Sequence, residues 1–396
     1  ELIGLTDIFA SALRIRGVDQ GDLVGLCIER SIDSIALQLA ILKCGAAWLP
    51  LDPGYPAARL VMMLEDAAPV LVVSSGVGSL PIAYTGITTD ELRATPAIEN
   101  MSDFPVVTGQ DAAYVLYTSG TTGLPKGVVA THVSAVSRCR WMWQAYAFSA
   151  DDVFGQRTSL NFIDSVWEIF GALAHGARVD VLPADAEHNP VAIADWIDRQ
   201  SVTHLVLVPS LLHALLDEYA NRSVPDQLHT IISSGEALSP SLARRVHQLL
   251  ADCRLLNTYG TSETWDISCY EVKPEAGLAL QVPVGKPVAN ATVCILDETM
   301  QPVPPGVTGE LYAGGAGLAR EYLHKPELTA ACFVSNPLGE LDIHRLYRSG
   351  DLARFRADGN VELLGRKDRQ VKLRGLRIEM SDIEAQVLTR DDVAEC

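Results

Sequence analysis

Short apolar runs alternate with amphipathic helical stretches through the first two-thirds of the chain, the pattern of βαβ units and a largely parallel sheet. Residues 23–28 read as a strand. Residues 32–43 bring Ile32, Ile35, Ala36, Leu39 and Leu42 to one helical face and then meet Gly45, which predicts a helix with a glycine stop. Further strands are predicted at 70–73, 113–117, 204–208, 230–232 and 254–257, each followed by turn residues or a helix. From about residue 281 the texture changes. β-Branched runs at 292–296, 300–309, 311–313 and 361–363 lie between Pro/Gly turns, predicting a smaller antiparallel sheet or barrel. Ser381-Asp382-Ile383-Glu384 has the form of a capping box that opens a last helix, and 74–109 reads as loop.

Composition narrows the function. The chain has 396 residues, 48% of them hydrophobic, enough for two or three domains with a sizeable core. Lys and Arg number 31 against 49 Asp and Glu, a net charge of −18. No basic surface of that kind holds a nucleic-acid backbone or an anionic bilayer. The apolar stretch 205–216 is too short to cross a membrane and is broken by Pro209, Ser210 and His213. The 8 cysteines form no C-x-x-C pair and no Cys/His cluster, which argues against a disulfide framework or a zinc knuckle and suits a reduced, cytoplasmic setting. The first residue is Glu1 and the last is Cys396, in what reads as unfinished structure, so the expectation is an excised piece of a longer protein.

The sharpest local feature runs from Tyr117 to Gly127, directly after the apolar run 113–117. Thr118, Ser119, Thr121 and Thr122 supply hydroxyls, Gly120 and Gly123 supply accessible backbone N–H groups, and Lys126 supplies a cation, which is what a polyphosphate needs. It is not a Walker A loop, because Pro125 precedes the lysine and Gly127 follows it. Alone, such a loop also fits a flexible surface turn.

Other stretches give it company. Residues 42–52 (LKCGAAWLPLD), 257–263 (NTYGTSE), 309–312 (GELY), 315–322, 347–352 (YRSGDL) and 365–372 (GRKDRQVK) occur in one order with the loop. Together they resemble the motifs of adenylate-forming enzymes, specifically nonribosomal peptide synthetase adenylation domains, over essentially the whole chain. One departure is Thr261-Ser262, where that family usually has Pro-Thr. The resemblance implies two mostly parallel sheets flanked by helices plus a small distorted antiparallel β-barrel. It divides the chain into α/β subdomains over 1–275, a barrel over 276–367, and a hinge with the start of a C-terminal subdomain over 368–396.

It also implies the chemistry. A substrate carboxylate attacks the α-phosphate of ATP, giving an acyl-adenylate and pyrophosphate, and the acyl group passes to phosphopantetheine on a peptidyl carrier protein. By resemblance, Thr118, Ser119, Thr121, Thr122 and Lys126 hold the departing phosphates, and Glu263 binds Mg²⁺. Tyr259 stacks on adenine, Asn257 and the Gly235-Glu236 backbone meet its edge, Asp351 accepts the ribose hydroxyls, and Arg366 lies near ribose and phosphate. The family's second catalytic lysine belongs to the C-terminal subdomain after the hinge at Asp368, so the piece in hand is expected to adenylate slowly.

Synthetase domains for α-amino acids usually carry Phe-Asp-x-Ser before Val-Trp-Glu, the Asp binding the α-ammonium. Here the run is Phe162-Ile163-Asp164-Ser165-Val166-Trp167-Glu168: the acid has moved one residue. On a helix, Ile163 and Asp164 lie four and three residues before Trp167, so all three can face one cavity. The remaining positions that resemble the pocket are Val206, Ile232, Ser234, Thr258 and Asp266. A shifted anion suits an ammonium one carbon further from the carboxylate, hence a β-amino acid such as β-alanine, with Asp266 as a second candidate partner. The alternatives are that Asp164 caps its helix and the pocket takes an aryl, hydroxy or keto acid, or that the enzyme is an acyl-CoA ligase.

Overall fold

The computed structural model describes all residues except 77–79, 82–85, 96–103, 120–124, 188, 275–280, 340–342, 369, 374–375, 381–382, 385–386 and 388–396, with backbone alone at 372–373 and 376–377. The start of the capping box at 381–384 therefore lies outside the described residues.

Two seven-stranded sheets share one plan. The first runs, in spatial order, Glu321–Tyr322, Lys126–Thr131, Ala112–Thr118, Ala47–Pro50, Leu23–Cys27, Leu71–Ser74 and Ile87–Thr88. Its last five strands are mutually parallel, and the first two are antiparallel. The second runs Lys286–Pro287, Trp265–Val272, Arg254–Thr261, Thr230–Ser233, His204–Leu207, Val153–Gln156 and Arg178–Val181, again five parallel strands with an antiparallel pair at one edge. Parallel strands are covered on both faces, so they read as unbroken apolar runs; Ala47–Pro50, His204–Leu207 and Thr230–Ser233 are buried throughout. A third, antiparallel sheet joins Ala291–Leu296, Gly309–Gly315 and Arg345–Phe355, with Phe333–Ser335 and Val361–Arg366 both on the last of these.

The predicted helix is Ile32–Lys43, opened by Ser31, whose hydroxyl accepts from the Ser34 N–H at 3.1 Å, and followed by Gly45 at φ 75°. Two expectations need correction. Within 74–109 the chain forms the strand Ile87–Thr88 and the helix Thr89–Arg93, capped reciprocally by Thr88 and Glu91. Residues 300–309 are not a strand: a single bridge links Leu296 to Pro302, because Pro302, Pro304 and Pro305 have no N–H for a ladder.

The largest core cluster lies between the two large sheets, where Trp48 and Tyr114 of the first meet Phe154, Val206, Ile232, Leu256 and Trp265 of the second. Trp265 Nε1 donates to Tyr114 Oη at 2.6 Å across that layer. A second cluster, with Tyr259, Ile267, Val293, Leu311 and Ala353, seats the third sheet on the edge of the second. No described helix is long and apolar enough to cross a membrane, and no disulfide joins the described cysteines.

Candidate active site

The glycine- and hydroxyl-rich loop closes a hairpin. Thr118 and Lys126 are paired across Ala112–Thr118 and Lys126–Thr131, so the segment is strand–loop–strand rather than the strand–loop–helix of a P-loop. Gly120, Thr121, Thr122 and Gly123 lie outside the described residues. Thr118 Oγ1 is buried without a hydrogen-bond partner. Lys126, 5% exposed, donates to Tyr322 Oη at 2.9 Å and stands 3.3 Å from the fully buried Glu263. The Tyr322 hydroxyl donates to Glu263 Oε1 at 2.8 Å. Burial, reinforced by that carboxylate, holds the phenol far above its ordinary pKa, so it stays a donor. Tyr322 was not singled out from the sequence, although it ends the stretch 315–322.

Glu263 sits at the turn between Arg254–Thr261 and Trp265–Val272, and the same hairpin supplies Asn257, Thr258, Tyr259 and Asp266. Its ladder shifts register between Tyr259 and Gly260. A Cβ on Gly260 would lie 1.9 Å from the Trp265 carbonyl oxygen, so the bulge needs glycine. Gly235, Glu236, Asn257, Thr258, Tyr259, Asp351 and Arg366 border one cavity of about 720 Å³ between the second and third sheets. The Tyr259 hydroxyl donates to Asp351, whose other oxygen receives Arg366 Nη1 at 2.8 Å. Arg366 also meets Asp368. Ser349 Oγ, another residue the sequence did not flag, accepts from the Asp351 N–H at 3.0 Å and fixes that turn. Asn257 Nδ2 donates to the Pro283 carbonyl at 2.8 Å.

A second cavity, of about 710 Å³, is bordered by Asp164, Val206, Ser234 and Arg157, among others, and shares Gly235 with the first. Asp164 opens the single turn Asp164–Val166, followed by a π-turn over Trp167–Gly171. The capping position is Ile163, so Asp164 is the first residue of the turn and not its cap. Burial first, then the nearby Asp266 carboxylate, push its carboxyl group up to about 7, against the pull of Arg138, the Ser234 hydroxyl and Arg157.

The other expected pocket residues divide. Trp167 and Ile232 are buried in the inter-sheet core, Ile163 packs against that core, and Thr258 borders the first cavity. The π-turn is what turns Trp167 inward: a Cβ on Gly171 would stand 2.1 Å from its ring. Asp266 corrects an expectation. Its carboxylate is held by Arg138, with Nε at 2.7 Å and Nη2 at 2.6 Å, so it already has a cation. No local pattern marked Arg138, since its partner lies 128 residues away.

Two cavities that meet at one glycine, one walled by Tyr259, Asp351 and Arg366 and the other by Asp164, suit an enzyme joining two small molecules. A sequence profile described as AMP-binding enzyme matches residues 2–323, and the chain belongs to that family of adenylate-forming ligases. It is 39% identical over 394 residues to a plipastatin synthase of Bacillus subtilis (98% of this chain, 15% of the relative). It is also 39% identical over 397 residues to the phosphinothricin tripeptide synthetase PhsB of Streptomyces viridochromogenes (98% of this chain, 33% of the relative). The chain thus spans a minor part of these relatives. Among solved structures it is similar to holo-PA1221, described as an NRPS protein containing adenylation and PCP domains bound to a vinylsulfonamide inhibitor. That match has TM-score 0.90 at 28% identity, over 100% of this chain and 68% of that one.

Proposed function

We propose that this chain is the core of a synthetase adenylation domain that activates a short β-amino acid, such as β-alanine, for loading onto a carrier domain. In the first half-reaction a carboxylate oxygen of the acid bonds to the α-phosphorus of ATP. The bond from that phosphorus to the bridging oxygen breaks, and pyrophosphate leaves with the electron pair. In the second, the phosphopantetheine sulfur bonds to the acyl carbon, AMP departs, and the thiol proton goes to solvent. Catalysis of this kind is mainly positioning and neutralisation of developing charge.

In this reading Thr118, Ser119, Lys126 and the loop at 120–124 receive the leaving phosphates, and Lys126 is already fixed by Glu263 and Tyr322. Asp351, held between Tyr259 and Arg366, accepts the ribose hydroxyls, while Asn257, Tyr259 and Gly235-Glu236 enclose the base. Mg²⁺ takes one or two carboxylates plus phosphate oxygens; Glu263 is a hard oxygen donor beside the phosphate loop, so it fits as the protein's contribution and the ion would neutralise phosphate charge. Similarity to an adenylation–PCP protein supports the carrier as acceptor.

The substrate class rests on one observation: a carboxylate stands on the wall of the acid cavity without an ion pair among the described residues, one position along from where an α-amino acid site keeps it. Ionising it there is unfavourable until a cation arrives, and an ammonium on the β-carbon supplies one while the carboxylate reaches toward the nucleotide. Substrate-dependent pyrophosphate exchange with the domain in its full-length synthetase tests this. β-Alanine or a substituted analogue should be turned over well above α-alanine, and strong exchange with α-alanine alone would overturn the substrate class.

A further inference from the structure

The Arg138–Asp266 pair lies beside the acid cavity, and its enclosure is unusual. The two side chains are 2% and 7% exposed, and the guanidinium stands 4.7 Å from the centre of the Trp141 ring and 5.0 Å from that of Trp167. Arginine suits such a place because it stays charged and stacks on aromatic faces. Its Nη1 is buried and has no hydrogen-bond partner, so the ion pair with Asp266 does not use the whole group. Trp167 lies three residues after Asp164, which ties this pair to the turn that presents the cavity's own carboxylate. Of the other charged groups that border the cavity, Arg157 faces Glu168 first, Glu187 is paired with Arg30 at 3.1 Å, and Asp52 is only half-buried. Behind that wall Asp164, Asp266 and Arg138 form a poorly hydrated cluster of two carboxylates and one guanidinium.

We infer that Arg138 sets the charge that the acid pocket will accept: by neutralising Asp266 it leaves Asp164 as the buried carboxylate that a substrate cation must match, so the pocket selects acids bearing one ammonium group against those bearing two or none. The inference rests on the reading that this cavity receives the acid. Arg138 works through Asp266 and is a positioning residue. A second ammonium would enter with no counter-charge, and an amine-free acid would leave Asp164 buried and unmatched; both are discriminated by what they leave unpaired.

The test is pyrophosphate exchange by the full-length synthetase with α-alanine, β-alanine, α,β-diaminopropionate and β-hydroxypropionate. In Arg138→Met the preference for α,β-diaminopropionate over β-alanine should rise by about tenfold or more, carried by KM, because Asp266 is now unmatched. Arg138→Lys should keep the wild-type ratio, and the double variant Arg138→Met with Asp266→Asn should return to it. A purely structural role would lower all substrates together and leave the ratios unmoved, and an unmoved ratio in Arg138→Met overturns the inference. Should that variant not fold, Asp266→Asn decides: with the pocket's net charge cancelled, β-hydroxypropionate should gain about tenfold on β-alanine, and no gain refutes the proposal. A wild-type enzyme that prefers α-alanine to β-alanine ends the β-amino reading only, and the charge count is then read from α,β-diaminopropionate against α-alanine. One that turns over only amine-free acids ends both.

Discussion

A carboxyl group that burial holds at about 7 ionises only with difficulty in the folded chain, and Asp164 carries that shift because Asp266 adds a like charge to its desolvation. Its folded value stands above the ordinary 3.8, so its contribution to stability is full below about pH 4 and is lost as pH rises toward about 7. Asp164→Asn fixes the neutral form. Its unfolding midpoint should exceed that of the wild type at about pH 8, by a few degrees for roughly 1–2 kcal/mol, and the gain should vanish near about pH 4. Melting curves across that range check it, and parallel curves would show that Asp164 is not the group involved. Glu168, also pushed up to about 7 by burial, keeps its own pH dependence in both proteins. The penalty on ionised Asp164 is the same quantity that an ammonium substrate relieves, so β-alanine should stabilise the wild type and not Asp164→Asn. Lys126 poses the opposite case. Lys126→Met removes the cation that faces the fully buried Glu263 and should cost about 3–5 kcal/mol in denaturant unfolding. Adding Glu263→Gln should restore most of that stability, while pyrophosphate release stays down by about 10²-fold or more. Recovery of both together would make the lysine structural.

At the scale of elements, apolar periodicity is legible where burial is uniform. The helix at Ile32–Lys43 and the all-buried strands could be read from the chain because they are mainly apolar, although the helix exposes Ile32 and buries Ser34 and Gln38, so the face it buries is not the one predicted. Arg345–Phe355, the longest described strand, could not, since charged Arg345, Arg348 and Asp351 interrupt its apolar positions and it takes its strand form from antiparallel neighbours on both sides. The site divides in the same way. Motif residues such as Asp351 and Tyr259 carry local signatures, and the structure brings them to one cavity. Arg138 and the Lys126–Tyr322–Glu263 triad depend on contacts between segments 59 to 196 residues apart, which no window of sequence holds. The π-turn is the most exacting of these elements. Gly171→Ala drives a methyl group into the Trp167 ring and should destabilise by about 1–3 kcal/mol. Trp167 shares its core cluster with Val206, which borders the proposed acid cavity, and with no residue that borders the other cavity, so KM for the acid should rise several-fold with KM for ATP unchanged. Equal changes in both would place Trp167 outside substrate recognition.

Across the whole molecule, the groups assigned to chemistry stand where layers meet. Lys126 and Tyr322 come from two strands of the first sheet and Glu263 from the edge hairpin of the second, so one hydrogen-bonded triad spans both. Tyr259 of the second sheet and Arg366 of the third converge on Asp351, itself on the third, in the same manner. Contacts within one sheet would survive a shift between layers, whereas these would not, so the cavity they border exists only while the third sheet is seated on the second. Asp351 is the fulcrum: it is 5% exposed, and its removal leaves Arg366 and the Tyr259 hydroxyl without their shared acceptor. Asp351→Ala should therefore destabilise by about 1–3 kcal/mol and raise KM for ATP by at least about tenfold, with little effect on KM for the acid. Asp351→Asn separates the two causes, since the amide preserves shape and one acceptor oxygen but loses the charge that Arg366 faces. If seating of the layers dominates, the asparagine variant should recover most of the stability and a minor part of the ATP affinity. If hydrogen exchange in 291–296 and 309–315 were as slow in Asp351→Ala as in the wild type, the third sheet would be held by its apolar cluster alone, and Asp351 would act on the nucleotide only.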